Sequence, residues 1–158
     1  MEKKAQLSDH IVARLATGRQ SLLATLETVD DTSLAKPTRN AEWTVRDVLA
    51  HVLASDVDLI WMLETARETV TGAARHHVDH EAEMARWADA DVIAIRRAAR
   101  EFGDCWQHLL AVMPTSAATT HVEIWWRTGQ LGDVLNDYLD HDSQHAEDIR
   151  LALANGPV

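Results

Sequence analysis

Among the residues able to do chemistry, His141 and His145 stand out, one helical turn apart in the run Tyr138-Leu139-Asp140-His141-Asp142-Ser143-Gln144-His145. A four-residue step on a helix leaves two side chains about 40° apart around the axis and about 6 Å apart along it. Both imidazoles therefore leave the same face, and two nitrogens can converge on one metal ion. That face continues as Val134, Tyr138, Ile149 and Ala152, an inward-facing apolar stripe that the two histidines interrupt. Taken alone, the pair fits a metal site and equally well two hydrogen-bonded histidines at a helix edge.

Position 142 is Asp where a zincin-type protease uses a Glu base, and no further His follows His145, so protease chemistry is set aside. A third histidine, His51, lies on the line Thr44, Val48, His51, Ser55, Asp58, Met62 of a preceding helix, at the border of its apolar stripe. Such a residue serves either as a core histidine with one backbone or carboxylate partner or as a ligand. Three neutral imidazoles that leave one position open are the donor set of a catalytic metal.

Other candidates surround these three. Asp58 is seven residues beyond His51, about 10 Å along the axis, too far for the same ion and placed to meet substrate or solvent. Asp137, Asp142 and Asp148 are near enough to the histidine pair to accept a proton from the second ring nitrogen, or are solvated helix carboxylates. His76, His77 and His80 form a cluster in a segment without period, expected to be surface loop or an adventitious metal binder. Cys105, with Phe102 and Leu109, reads as an inert core thiol. His108 lies at the edge of the same helix as a weak fourth-ligand candidate. Trp43, Trp125 and Trp126 either line a pocket mouth or pack helix ends, and Arg127 either holds a carboxylate or is simply exposed.

The elements that must position these residues are helices. Ile11, Leu15, Leu22, Leu23, Leu26 and Val29 predict a first helix over about 8–29, with Ser8 or Asp9 as cap. Thr44 as N-cap and Asp47 in the first turn open a second, which runs toward Val70 and ends near Gly72. Residues 73–88 are expected to form a short helix or an excursion. A third helix follows from about Asp89 to Met113, closed by Pro114. Thr115 to Gly129 reads as loop, and a fourth helix runs from about Gln130 to Ala154, ended by Gly156-Pro157. No stretch alternates like a half-buried strand, so the expectation is an all-α four-helix bundle in one domain over residues 1–158, its topology open between up-down and crossover forms.

Composition narrows the partners. Fifteen basic against 25 acidic residues give a formal charge of −10, the wrong sign for phosphate-backbone binding, so no nucleic acid is expected. The single Cys105 forms no internal disulfide and fits a reducing compartment. The start Met1-Glu2-Lys3-Lys4 leads into an amphipathic pattern with no apolar leader, and no run approaches 18 apolar residues. A cytoplasmic protein without a membrane partner is the expectation.

The runs Trp43-Thr44-Val45-Arg46-Asp47-Val48-Leu49-Ala50-His51 and His141-Asp142-Ser143-Gln144-His145 resemble the DinB/YfiT-like superfamily of metalloenzymes, over roughly residues 8–152. The resemblance implies a DinB/YfiT-like four-helix bundle in which His51, His141 and His145 hold a divalent metal, zinc or nickel being the expected ion. Relatives with known chemistry include thiol-dependent transferases and isomerases that use mycothiol, bacillithiol or glutathione, the mycothiol-dependent maleylpyruvate isomerases among them. It therefore implies a small-molecule substrate, a low-molecular-weight thiol as candidate second cofactor, and a homodimer as candidate assembly. The alternative is a non-catalytic metal- or ligand-binding bundle that kept only the scaffold.

Overall fold

The computed structural model describes residues 9–68, 78–124 and 126–155. Helical periodicity becomes helix wherever it is long. The first helix, α1 (Asp9–Leu26), stops three residues before Val29. Its end is tightened by Thr28 N–H donating to Thr25 and Val29 N–H to Leu26, bonds that reach back only three residues, and Val29 still points into the core.

In α2 (Val45–Glu68) the expected start is found: Thr44 N–H and its hydroxyl both donate to Asp47 at 2.9 and 3.0 Å, and Asp47 N–H returns to Thr44 Oγ1 at 3.3 Å. The expected ends at Gly72 and at Gly156-Pro157, and the cap at Ser8, lie outside the described residues. The excursion contains a short helix, α3 (His80–Ala85), capped by Asp79, which accepts from Ala82 N–H at 3.1 Å. The third long helix, α4 (Val92–Val112), is capped by Asp91 accepting from Ala94 N–H at 2.8 Å and is followed by Pro114.

Two sequence expectations need correction. The segment Thr115–Gly129 is not plain loop: a 3₁₀ turn (Thr115–Thr119) leads into an antiparallel hairpin of β1 (His121–Ile124) and β2 (Arg127–Gln130), with Val122 opposite Gly129 and Glu123 opposite Thr128. Only Val122 and Ile124 are buried between exposed His121 and Glu123, an alternation too short to stand out from its flanks. The fourth helix is also not continuous. It is α5 (Leu131–Tyr138) and α6 (His141–Ala154), interrupted at Leu139-Asp140, where Asp140 adopts φ −101° and ψ 5°. The side chain of Asp140 is drawn to α1 by Arg14, which donates to its two oxygens at 2.8 and 3.0 Å. The break keeps the hydrophobic phase, so Val134, Tyr138, Ile149 and Ala152 all remain buried.

The four-helix bundle is formed by α1, α2, α4 and the α5–α6 pair. Each of α1 and α2 packs against both α4 and α6, which puts the consecutive helices α1 and α2 diagonally across the bundle. A simple up-down order would set them side by side. The apolar core is split in two. Ile11, Leu15, Leu59, Leu63, Trp106 and Leu139 belong to one cluster, and Leu22, Leu26, Leu49, Leu53, Ile95 and Ala146 to the other. Arg19, Ser55, Asp56 and Asp142 are buried between the two along their helices, so a polar layer crosses the bundle. Among the described residues, no helix is long and apolar enough to cross a membrane.

Candidate metal centre

The polar layer ends at the three histidines. His51 reaches in from α2, a buried residue, while His141 and His145 open α6 just after the break. One nitrogen from each lies within 4.8 Å of the other two. The Nε2 atoms of His51 and His141 are 3.1 Å apart, and the rings of His51 and His145 meet edge to face with centroids 4.9 Å apart.

The donor set fits a divalent ion. Two nitrogens bound to one tetrahedral zinc at about 2.0–2.1 Å stand roughly 3.3 Å apart, close to the His51–His141 separation. Burial, reinforced by His141, His145 and His80, lowers His51 to about 2. Burial and His141 lower His145 to about 4, with Asp148 and Asp142 pulling weakly the other way. Both rings are therefore neutral at ordinary pH, with a lone pair available.

Carboxylates face the outer nitrogens of the pair on α6. Asp148 Oδ2 lies 3.4 Å from His145 Nδ1, and Asp142 Oδ1 lies 3.6 Å from His141 Nδ1. This leaves Nε2 of each ring for the centre, the usual way a carboxylate orients a ligating imidazole. Asp142 is anchored in turn. Arg19 donates to it through Nε at 2.7 Å, to both oxygens of Asp56 at 2.6 and 2.8 Å, and to the carbonyl of Ala99 at 2.7 Å. Trp106 Nε1–H adds a bond to Asp56 at 3.2 Å. Burial pushes Asp142 upward, but Arg19 and His141 outweigh it and hold its carboxyl well below the usual range. Asp56, fully buried, is raised to about 6 by desolvation against the pull of Arg19.

A cavity of about 300 Å³ opens beside the centre, lined by His51, His141, Tyr138, Trp126 and Gln144 among others. The Tyr138 ring lies nearly parallel to His141 at 4.3 Å, and Trp126 lies nearly parallel to Tyr138 at 6.4 Å. Burial, with Asp142 and Asp56 nearby, raises the Tyr138 hydroxyl well above its ordinary value, so it stays a neutral phenol. Trp43, its ring 5.0 Å from His51, lines a second cavity of about 510 Å³ that His51 also borders.

Of the remaining candidates, Asp58 is fully buried rather than solvated, and Asp137 pairs with Arg127 instead of turning to a histidine. Arg127 is thereby committed to α5, also donating to the Asp133 carbonyl at 3.2 Å, and is not free for a substrate carboxylate. Cys105 is exposed, because the buried face of α4 runs through Ala99, Gly103 and Trp106; His108 is exposed as well. His76, His77 and Trp125 lie outside the described residues. His80 is not a surface residue of a loose loop: its Nε2 lies 2.9 Å from His51 Nδ1.

Sequence reasoning passed over Arg19 and Asp56. For Arg19 a signal existed, since it occupies the apolar stripe Leu15, Arg19, Leu22, Leu26 where only a paired cation can be buried. Asp56 offered none, because α2 is buried over so much of its circumference that no face is distinctive.

Comparison with known proteins gives a consistent picture. The family model for the mycothiol maleylpyruvate isomerase N-terminal domain matches residues 15–139, which include His51 and stop just before His141. No curated protein matches the chain by sequence. Among solved structures, a mycothiol-dependent maleylpyruvate isomerase is similar at TM-score 0.79 and 16% identity over 89% of this chain and 60% of that one. YfiT from Bacillus subtilis, described as a probable metal-dependent hydrolase with an unusual four-helix bundle topology, is similar at TM-score 0.77 and 21% identity over 93% and 86%. A DinB-like protein from Bacillus cereus is similar at 0.63 and 16% over 87% and 85%. At these identities the likeness is one of fold, and the chain spans about 60% of the isomerase's length.

Proposed function

Because the chain belongs to the mycothiol maleylpyruvate isomerase N-terminal domain family, we propose that it is a divalent-metal-dependent enzyme acting with a small thiol, as a transferase or isomerase. His51, His141 and His145 are its ligands. The observation that carries this is the convergence of three imidazole nitrogens within 4.8 Å at the edge of a cavity, on rings that burial keeps neutral. A divalent ion held there supplies Lewis acidity that makes a thiol or water nucleophilic near neutral pH.

The chain's own groups do the rest. Asp148 and Asp142 stand 3.4 and 3.6 Å from the outer nitrogens of His145 and His141, positions from which they orient the rings with Nε2 inward once an ion is held. Trp126 and Tyr138 wall the cavity and give an electrophilic substrate an apolar surface to lie on, while Gln144 offers it an amide. Tyr138, held protonated, cannot serve as a base at neutral pH but can donate a hydrogen bond. Asp137 and Asp140 also line the cavity, each already matched by an arginine, Arg127 and Arg14.

The test has two stages. Metal analysis of protein carrying His76→Ala and His77→Ala, which removes adventitious uptake, should give one zinc or nickel per chain, and adding His51→Ala should abolish it. Unchanged metal content after His51→Ala would sink the site. The loaded protein should then consume an electrophilic substrate faster in the presence of a small thiol. A metal-loaded protein with no thiol-dependent turnover across mycothiol, bacillithiol and glutathione would instead favour a bundle that binds metal without catalysis.

A further inference from the structure

We propose that His80 is a positioning residue for the centre, fixing the tautomer and orientation of His51 through its Nδ1. The inference rests on the metal reading above. A ring that binds metal through Nε2 must carry its proton on Nδ1, and that proton needs an acceptor. Metal-bound histidines usually give it to a carboxylate, a backbone carbonyl or water. For His141 and His145 the carboxylates nearest Nδ1 are Asp142 at 3.6 Å and Asp148 at 3.4 Å. For His51, whose Nε2 points to His141 at 3.1 Å, Nε2 of His80 faces Nδ1 at 2.9 Å among the described residues. The two rings meet edge to face, with centroids 4.9 Å apart at 65°. His80 accepts in this geometry only with its own proton on Nδ1, so one arrangement of protons serves the contact between the two rings.

The placement of His80 gives α3 a purpose that its packing does not. This helix has six residues and buries none of them, yet it lies along α2, and its first residue reaches the ligand. Asp79 caps it immediately before His80, which fixes where the imidazole leaves the backbone. Trp43, just before α2, also packs on the His51 ring, with centroids 5.0 Å apart, and lines one cavity with His51 and His80. His51 thus touches both an aromatic ring and a proton acceptor.

The experiment measures zinc affinity by competition with a chromophoric chelator, for the wild type and for His80→Ala, His80→Gln and Glu83→Ala. The alanine variant should bind about 10–100-fold more weakly, whereas His80→Gln, whose side-chain oxygen can accept from His51, should recover most of the loss. Glu83→Ala, a change on the same short helix at a residue paired with Arg86, should bind like the wild type. A second readout needs no metal: nitrogen NMR of the metal-free protein should find His51 protonated on Nδ1, and His80→Ala should deplete that tautomer. Undiminished affinity in His80→Ala, or equal weakening in His80→Ala and His80→Gln, would overturn the inference while leaving the metal site intact. No zinc uptake by the wild type would overturn the metal reading and this inference with it.

Discussion

A histidine buried without its proton destabilises the fold when the solution would otherwise protonate it, and this centre holds two such residues. His145 is lowered to about 4 and His51 to about 2, mainly by burial, whereas in the unfolded chain both titrate near 6.5. Between pH 6.5 and 4 the unfolded chain therefore binds about two more protons than the folded one at these sites. Asp56 works in the opposite sense, since burial raises it to about 6 and the folded state holds a proton that the unfolded chain lacks above 3.8. The balance near pH 5 is about one proton in favour of the unfolded chain, so stability of the metal-free protein should fall by about 1.4 kcal/mol per pH unit on acidification. Urea unfolding of chelator-treated protein at pH 6 and pH 5 checks the sign. A midpoint that rises on acidification would show that the histidines are not buried neutral. That Asp142 and Asp148 lie near these rings was legible in the sequence, because a helix places them by arithmetic, although that arithmetic does not say whether they are solvated or face the imidazoles. His80 was not, since its segment has no period and the bond to His51 crosses between elements.

At the scale of elements, α4 owes its position to a glycine. A Cβ on Gly103 would lie 3.0 Å from Cγ and 3.1 Å from Cδ of Arg19. A flexible arginine could yield, but all five N–H groups of this one are committed to Asp56, Asp142 and Ala99, so its stem is pinned. Helix propensity alone would make Gly103→Ala stabilising by about 1 kcal/mol. The expected result is the reverse, a lower melting temperature, because α4 must move off α1 or the buried arginine must lose hydrogen bonds. A melting temperature raised by Gly103→Ala in thermal unfolding would show that the layer is looser than the distances indicate. The long helices were readable because each shows several turns of apolar period, and α2 also shows its start at Thr44. The hairpin and the break at Asp140 were not. A strand with two buried residues carries too little pattern, and one residue with φ −101° disturbs the helix without shifting its phase.

Across the whole molecule, the diagonal placement of α1 and α2 makes Arg19 and the metal ligands two separate ties through one polar layer. Arg19 spans the bundle centre from α1 to Asp56 on α2 and Asp142 on α6, while His51, His141 and His145 would join α2 to α6 through the ion. The first tie is present with or without metal, and the second depends on it. Zinc at about 100 times its dissociation constant should add about 2.7 kcal/mol, roughly 5–10 °C in melting temperature for a domain of this size. A formal charge of −10 favours uptake of a dication. His141→Ala should abolish the zinc-dependent rise. Arg19→Met should lower the melting temperature in both states, since it leaves Asp56 and Asp142 buried without their cation, a change worth about 3–5 kcal/mol. The zinc increment should largely survive Arg19→Met if the two ties are separate, and shrink if Asp142 needs Arg19 to orient His141. Differential scanning calorimetry of the four proteins, wild type, His141→Ala, Arg19→Met and the double variant, with and without zinc, reads both terms. A zinc increment that persists in His141→Ala would place the ion elsewhere and remove the second tie.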